Sequence, residues 1–158
     1  MLQKYNRDRV LEVFFDNPLP EGGLSLREIS RNSGVPLPSA KNYLEELEKE
    51  KLVLKKKNRL GNPVYYANRD EEYFLFLKKM NNIKNIQESG VVEHIYYELG
   101  PKAIILFGSA CRGEDILESD IDLCVLSKDK ELDLEKFEKK LNRKINVFFK
   151  KKLNNTSK

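Results

Sequence analysis

Between residues 5 and 16, "YNRDRVLEVFFD", the apolar residues Val10, Leu11, Phe14 and Phe15 recur at the spacing of one helix face. "NPLPEGG" breaks that pattern. "SLREISRNSG" predicts a short second helix, with Ser25 as N-cap, Glu28 three residues later and Gly34 as the stop. After the turn "VPLP", residues 38–52 predict a third helix, with Pro38 near its start and Ala40, Leu44 and Leu47 on one face. "LVLKKK" and "PVYYAN" then read as two strands joined by "NRLGN", a hairpin. Two amphipathic stretches follow over residues 71–99. The first sets Phe74, Leu77 and Met80 on one side; the second carries Val91, Val92, Ile95, Tyr96 and Leu99 and ends at Gly100.

The last third of the chain changes period. "KAIILFGS" reads as a buried strand and "DIDLCVLS" as a second. "LDLEKFEKKL" is helical, and "RKINVFF" reads as a third strand. In that third strand Ile145, Val147 and Phe149 fall on one side, and Lys144, Asn146 and Phe148 on the other.

The second of these strands holds the chemistry. Alternation puts Asp120 and Asp122 on one face, with Ile121, Leu123 and Val125 on the opposite one. Two carboxylates that close repel each other unless a cation lies between them. Carboxylate oxygens are hard ligands suited to Mg²⁺, which keeps several waters and bridges to phosphates. Gly108 allows a sharp turn and a close phosphate approach, and Ser109 adds a hydroxyl and a backbone N–H at the start of a helix.

Charge and composition narrow the picture further. The net charge of +4 permits a nucleic-acid partner without demanding one. Its distribution says more. Nine acids lie between Glu114 and Glu135, nine Lys/Arg follow from Lys136 onward against Glu138 alone, and Lys51–Arg59 holds five basic residues and no acid. These blocks predict an acidic pocket, a basic tail and a basic hairpin. Cys111 and Cys124 are too few for a disulfide framework, and with the lone His94 they show no zinc spacing. No apolar run approaches the ~20 residues of a membrane span, and the start "MLQKYNRDRV" lacks a signal peptide's apolar centre. The expectation is a cytoplasmic protein with no membrane partner.

Two resemblances follow from these residues. "LSLREISRNSGVPLPSAKNYLEELEKEKLVLKKK" resembles the winged helix-turn-helix family of prokaryotic transcription regulators over about residues 4–68. That likeness implies duplex DNA as a partner, a third helix in the major groove and paired half-sites read by a homodimer. Ser39, Lys41 and Asn42 would reach phosphates or base edges, and Lys55, Lys56, Lys57 and Arg59 on the wing would neutralise phosphates. Winged helices also serve as protein-binding modules, and Glu45, Glu46, Glu48 and Glu50 oppose DNA at the far end of the helix. The pattern GSxxRGxxxxxSDIDL resembles nucleotidyltransferases related to DNA polymerase beta, in particular the minimal form of archaea and bacteria. It implies a small mixed sheet, an NTP with Mg²⁺ or Mn²⁺, metal-binding Asp120 and Asp122, and phosphate contacts from Gly108, Ser109 and Arg112.

The expected architecture is therefore α+β. A winged helix of three helices and a hairpin occupies 1–70, linker helices 71–99, and a small α/β nucleotidyltransferase fold with a basic tail 100–158. One departure stands out. Where the family carries a third carboxylate on the last strand, this chain has Asn146. A neutral amide is a weaker ligand and a poor base. Three alternatives are left: impaired catalysis, a nearby acid such as Glu114 or Glu118 as substitute, or an engineered inactivating change. The functional classes expected are a regulator that transfers NMP from an NTP to a hydroxyl, with a toxin-like partner protein as one acceptor; a nucleotide-sensing regulator that no longer catalyses; and an antitoxin-like interaction module.

Overall fold

The computed structural model describes residues 2–152, so the last part of the expected basic tail, Lys158 included, lies outside the described residues. The chain divides into two compact units at the Phe76–Leu77 peptide.

In the first unit, α1 (Leu2–Asp16), α2 (Leu26–Ser33) and α3 (Leu37–Lys49) precede the antiparallel hairpin β1 (Val53–Lys57) and β2 (Pro63–Ala67). The helices meet through Val10, Phe14, Ile29, Ala40, Leu44 and Leu47, none of which is accessible to solvent. α2 starts as the sequence predicts. The Ser25 hydroxyl accepts the Glu28 N–H, and the Ser25 N–H donates to Glu28 Oε2 at 2.8 Å. Gly34 ends the helix with φ +64°, in a place where a Cβ would collide with the Arg9 guanidinium. α3 closes at Lys49, short of the predicted Leu52. Lys51 turns left-handed at φ +61°, and the Leu52 N–H folds back onto the Leu47 carbonyl, just before β1 begins at Val53. The hairpin loop is tied by Asn58 Oδ1, which accepts the Leu60 and Asn62 N–H groups at 2.9 and 3.0 Å.

α4 (Glu72–Ser89) spans the division between the units. Its buried positions are Phe74, Lys78, Asn82, Ile86 and Ser89. This corrects the expected Phe74–Leu77–Met80 face: Met80 is exposed and Leu77 only half-buried. The buried row runs at i, i+4 and includes a lysine and an asparagine, which a search for apolar residues passes over.

In the second unit, α5 (Val91–Leu99), β3 (Ile104–Phe107), α6 (Gly108–Arg112), β4 (Ile121–Leu126), α7 (Glu135–Leu141) and β5 (Ile145–Lys150) follow. The sheet is mixed, in the order β3-β4-β5, with β3 antiparallel and β5 parallel to β4. Its core joins Ile121, Leu123, Val125 and Ile145 to Ile86, Val91, Ile95 and Phe137 from the helices. Two expectations need correcting. β3 is an edge strand and only half-buried, because a single neighbour covers it. On α5, Tyr96 points to solvent while Val91 and Ile95 are buried. His94 lies against the Phe137 ring, with centroids 5.0 Å apart, which is a packing role. No helix among the described residues is long and apolar enough to cross a membrane.

Candidate functional site

The two aspartates enter from one strand and its approach. Asp120 is exposed just before β4, and Asp122 is half-buried within it. Ile121, Leu123 and Val125 occupy the opposite, core-facing side. β5 aligns Asn146 with Asp122 across the parallel pairing. Asn146 Nδ2 donates to Asp120 Oδ2 at 3.1 Å and to Asp122 Oδ1 at 2.9 Å. Both carboxylates thus converge on one donor, and the amide sits where like charges call for something positive.

Gly108 is required here on two grounds. Its φ is +75°, and a Cβ would lie 2.5 Å from Asp122 Oδ2. The backbone at the end of β3 therefore closes directly onto the carboxylate. Ser109, half-buried in the single turn of α6, accepts the Glu114 N–H at its carbonyl. Arg112 faces solvent and pairs with Glu114 at 2.6 Å.

A second polar group, missed in the sequence, holds this region from behind. Lys78 and Asp115 are 2% and 3% exposed and form an ion pair of 3.0 Å. Lys78 Nζ also donates to the Asp115 carbonyl, and Asn82 Nδ2 donates to Asp115 Oδ1 and to the Ala110 carbonyl. Arg143 donates to Asp115 Oδ2 at 3.0 Å, to the Ser119 carbonyl at 2.7 Å and to the Asp120 carbonyl at 3.2 Å. The loop that delivers Asp120 is thus fixed through its backbone by a guanidinium, and its foot by a buried ion pair. Buried charges persist only when matched in this way. The one signal in the sequence was the polar pair Lys78 and Asn82, four apart between Phe74 and Ile86.

The acidic block does not form one pocket. Asp115 belongs to the buried ion cluster, Glu114 pairs with Arg112 and Glu135 with Lys139; beyond the block, Glu138 turns to β5. The Glu138 carboxyl is held below the ordinary glutamate value by the Ile145 N–H, then by Lys144. Among the described residues, no group of three or more Asp, Glu, His or Cys side chains is placed to hold a metal ion. Neither Glu114 nor Glu118 completes the pair in that sense. Two carboxylates converging on one point, with an amide that can turn its oxygen inward, fit a single hard cation.

In the first unit, Lys41 and Asn42 are exposed on α3 and Ser39 is half-buried. Lys55, Lys56 and Lys57 are exposed on β1, and Arg59 is exposed in the loop. Lys56 Nζ lies 5.2 Å from the centre of the Tyr66 ring. At the acidic end of α3, Arg7 pairs with Glu50 and, at 3.8 Å, with Glu46, which offsets part of its negative charge.

Residues 9–56 match the IclR helix-turn-helix domain, and residues 89–158 match the nucleotidyltransferase domain. No curated protein and no solved structure matches the chain. The helix order, the hairpin, the mixed sheet and the two matches agree: the chain joins an N-terminal IclR-type helix-turn-helix domain to a C-terminal nucleotidyltransferase-like domain.

Proposed function

We propose that this protein is a DNA-binding regulator whose C-terminal domain takes an NTP with Mg²⁺ or Mn²⁺ and moves its nucleoside monophosphate to a hydroxyl. The observation that carries the reading is the convergence of Asp120 and Asp122 on one point, with Gly108 closed against Asp122. In such a transfer the acceptor hydroxyl gives up its proton to water, its oxygen bonds to the α-phosphorus, the bond from that phosphorus to the α,β-bridging oxygen breaks, and pyrophosphate leaves with that oxygen. A cation at the carboxylates would offset the triphosphate's charge. This chain's own residues would do the rest: Asp120 and Asp122 hold the cation, Gly108 and Ser109 meet phosphate, and Arg112 swings from Glu114 to join them. Residues 1–70 would read duplex DNA as a homodimer through Ser39, Lys41, Asn42, Lys55, Lys56, Lys57 and Arg59. Residues 71–99 would link that part to a nucleotidyltransferase domain over 100–158. A protein hydroxyl on a toxin-like partner suits the acceptor role, and the cytoplasm supplies both nucleotide and DNA.

Asn146 favours a second reading, a sensor that binds nucleotide without turning it over. Its neutral amide lies against both carboxylates and offers no base for the acceptor's proton. Labelled NTP, Mg²⁺ and candidate acceptors separate the two. On the first reading the chain as it stands labels acceptors weakly; on the second it labels none. Asn146→Asp should raise transfer by about 10²–10⁴-fold, the range of a positioned general base. NTP should bind in Mg²⁺ and not in EDTA by calorimetry; equal affinity in both removes the cation from the proposal.

A further inference from the structure

The sheet of the second unit has two unlike faces. One is sealed by helices over Ile121, Leu123, Val125 and Ile145. On the other, strand register places Phe107, Asp122 and Asn146 in one row, and Ile105, Cys124 and Phe148 in the next. Phe107 is 38% and Phe148 49% exposed. Their rings meet edge to face with centroids 5.4 Å apart, bridging the two rows. Single exposed apolar residues need no explanation, but a paired aromatic surface beside a charged site does.

We infer that the Phe107–Phe148 pair is the platform on which the base of a nucleoside triphosphate stacks while its triphosphate lies at Asp120 and Asp122. This rests on the NTP reading given above. Phe107 precedes Gly108 in the chain, and Phe148 follows Asn146 by two residues on the same face. Both rings therefore stand beside the carboxylates. Two rings are too small a patch for a protein interface, which needs about 800 Å² from each partner. They suit one flat group. In the row of Phe148, Ile105 and Cys124 offer nothing to read a base edge by N–H or carbonyl pairing, and in the row of Phe107 the polar groups of Asp122 and Asn146 are engaged with each other. Stacking is tolerant of base identity, because every base has a π-face. The site should accept all four NTPs within a few-fold of one another.

The test compares ligands with and without a base, in Mg²⁺, by calorimetry on the full chain. Phe148→Ala should weaken ATP by about tenfold, the scale of removing one base–aromatic stack, and leave inorganic tripolyphosphate unchanged. Phe148→Tyr, which keeps the ring, should restore ATP binding. Equal weakening of both ligands, or of neither, overturns the platform while leaving the NTP reading intact. Failure of the unaltered chain to bind either ligand overturns that reading and the platform with it. A single-stranded oligonucleotide without a triphosphate distinguishes the other source of a base. If Phe148→Ala weakens the oligonucleotide and spares ATP, the rings serve a nucleic-acid strand and the assignment is wrong.

Discussion

The helix-turn-helix unit and the nucleotidyltransferase-like unit are held by polar contacts of opposite reach. In the first, turns and caps close over two to five residues: Ser25 to Glu28, Ser30 to the Val35 carbonyl, Asn58 to Leu60 and Asn62. Longer contacts occur there too, among them Asn68 to the Lys51 carbonyl over 17 positions and Arg7 to Glu50 over 43, but the Arg7 pair leaves the carboxylate 47% exposed, where an ion pair contributes little. In the second unit, the bonds that shape the site join residues 23 to 37 positions apart, and the Lys78–Asp115 pair is almost fully buried. One unit is specified locally. The other depends on charges that must find each other through the fold.

The sharpest way to break this comparison is Asp115→Ala. It removes the carboxylate that neutralises the buried Lys78 ammonium and one of the three acceptors of Arg143, at a cost of about 3–5 kcal/mol. Hydrogen exchange should show β4 and the Asp120 loop losing protection while α1–α3 keep theirs; uniform loss across both units would refute the contrast. Next is the wing. Replacing Lys55, Lys56, Lys57 and Arg59 by Ala should reduce the salt dependence of DNA affinity by about 0.9 in log–log slope for each phosphate that is no longer neutralised. The melting transition should barely move, since all four side chains are exposed. An unchanged gel-shift affinity excludes the wing from the DNA interface. The smallest effect belongs to the cap. Ser25→Ala should cost about 1 kcal/mol, read as a lower melting temperature confined to the first unit. The Glu28 carboxyl is held below its ordinary value by the Ser25 N–H and then the Ser25 hydroxyl. A lowered folded-state pKa means the cap stabilises above the unfolded value and fades as pH falls through the folded one. The cost of Ser25→Ala should therefore shrink in acid and stay constant near neutrality.

This contrast also explains what could be read in advance. The capping box, the Gly34 stop, the hairpin and the alternation of β4 and β5 are written in residues close in sequence, and each was legible. So was the side of β5 that Asn146 occupies, because strand period alone sets it. The faces of α4 and α5 were misjudged: Met80 and Tyr96 are apolar and periodic, yet solvent-facing. The buried face of α4 includes a lysine satisfied by an aspartate 37 positions away. Nor could the acidic block be divided into site, ion cluster and surface, since nine carboxylates look alike until their partners are known.

The parallel pairing of β4 and β5 has a consequence for the order in which the protein assembles. Asn146 lies 24 positions beyond Asp122 and reaches it only after the chain has crossed over through α7. Such a closure costs chain entropy before any native pairing repays it, which makes parallel pairing slow relative to helices and hairpins. The helix-turn-helix unit, built from near neighbours, can therefore reach its native form while Asp120 and Asp122 still face each other with no amide between them. Chain entropy thus predicts that the carboxylates meet their amide after the helices and the hairpin have formed.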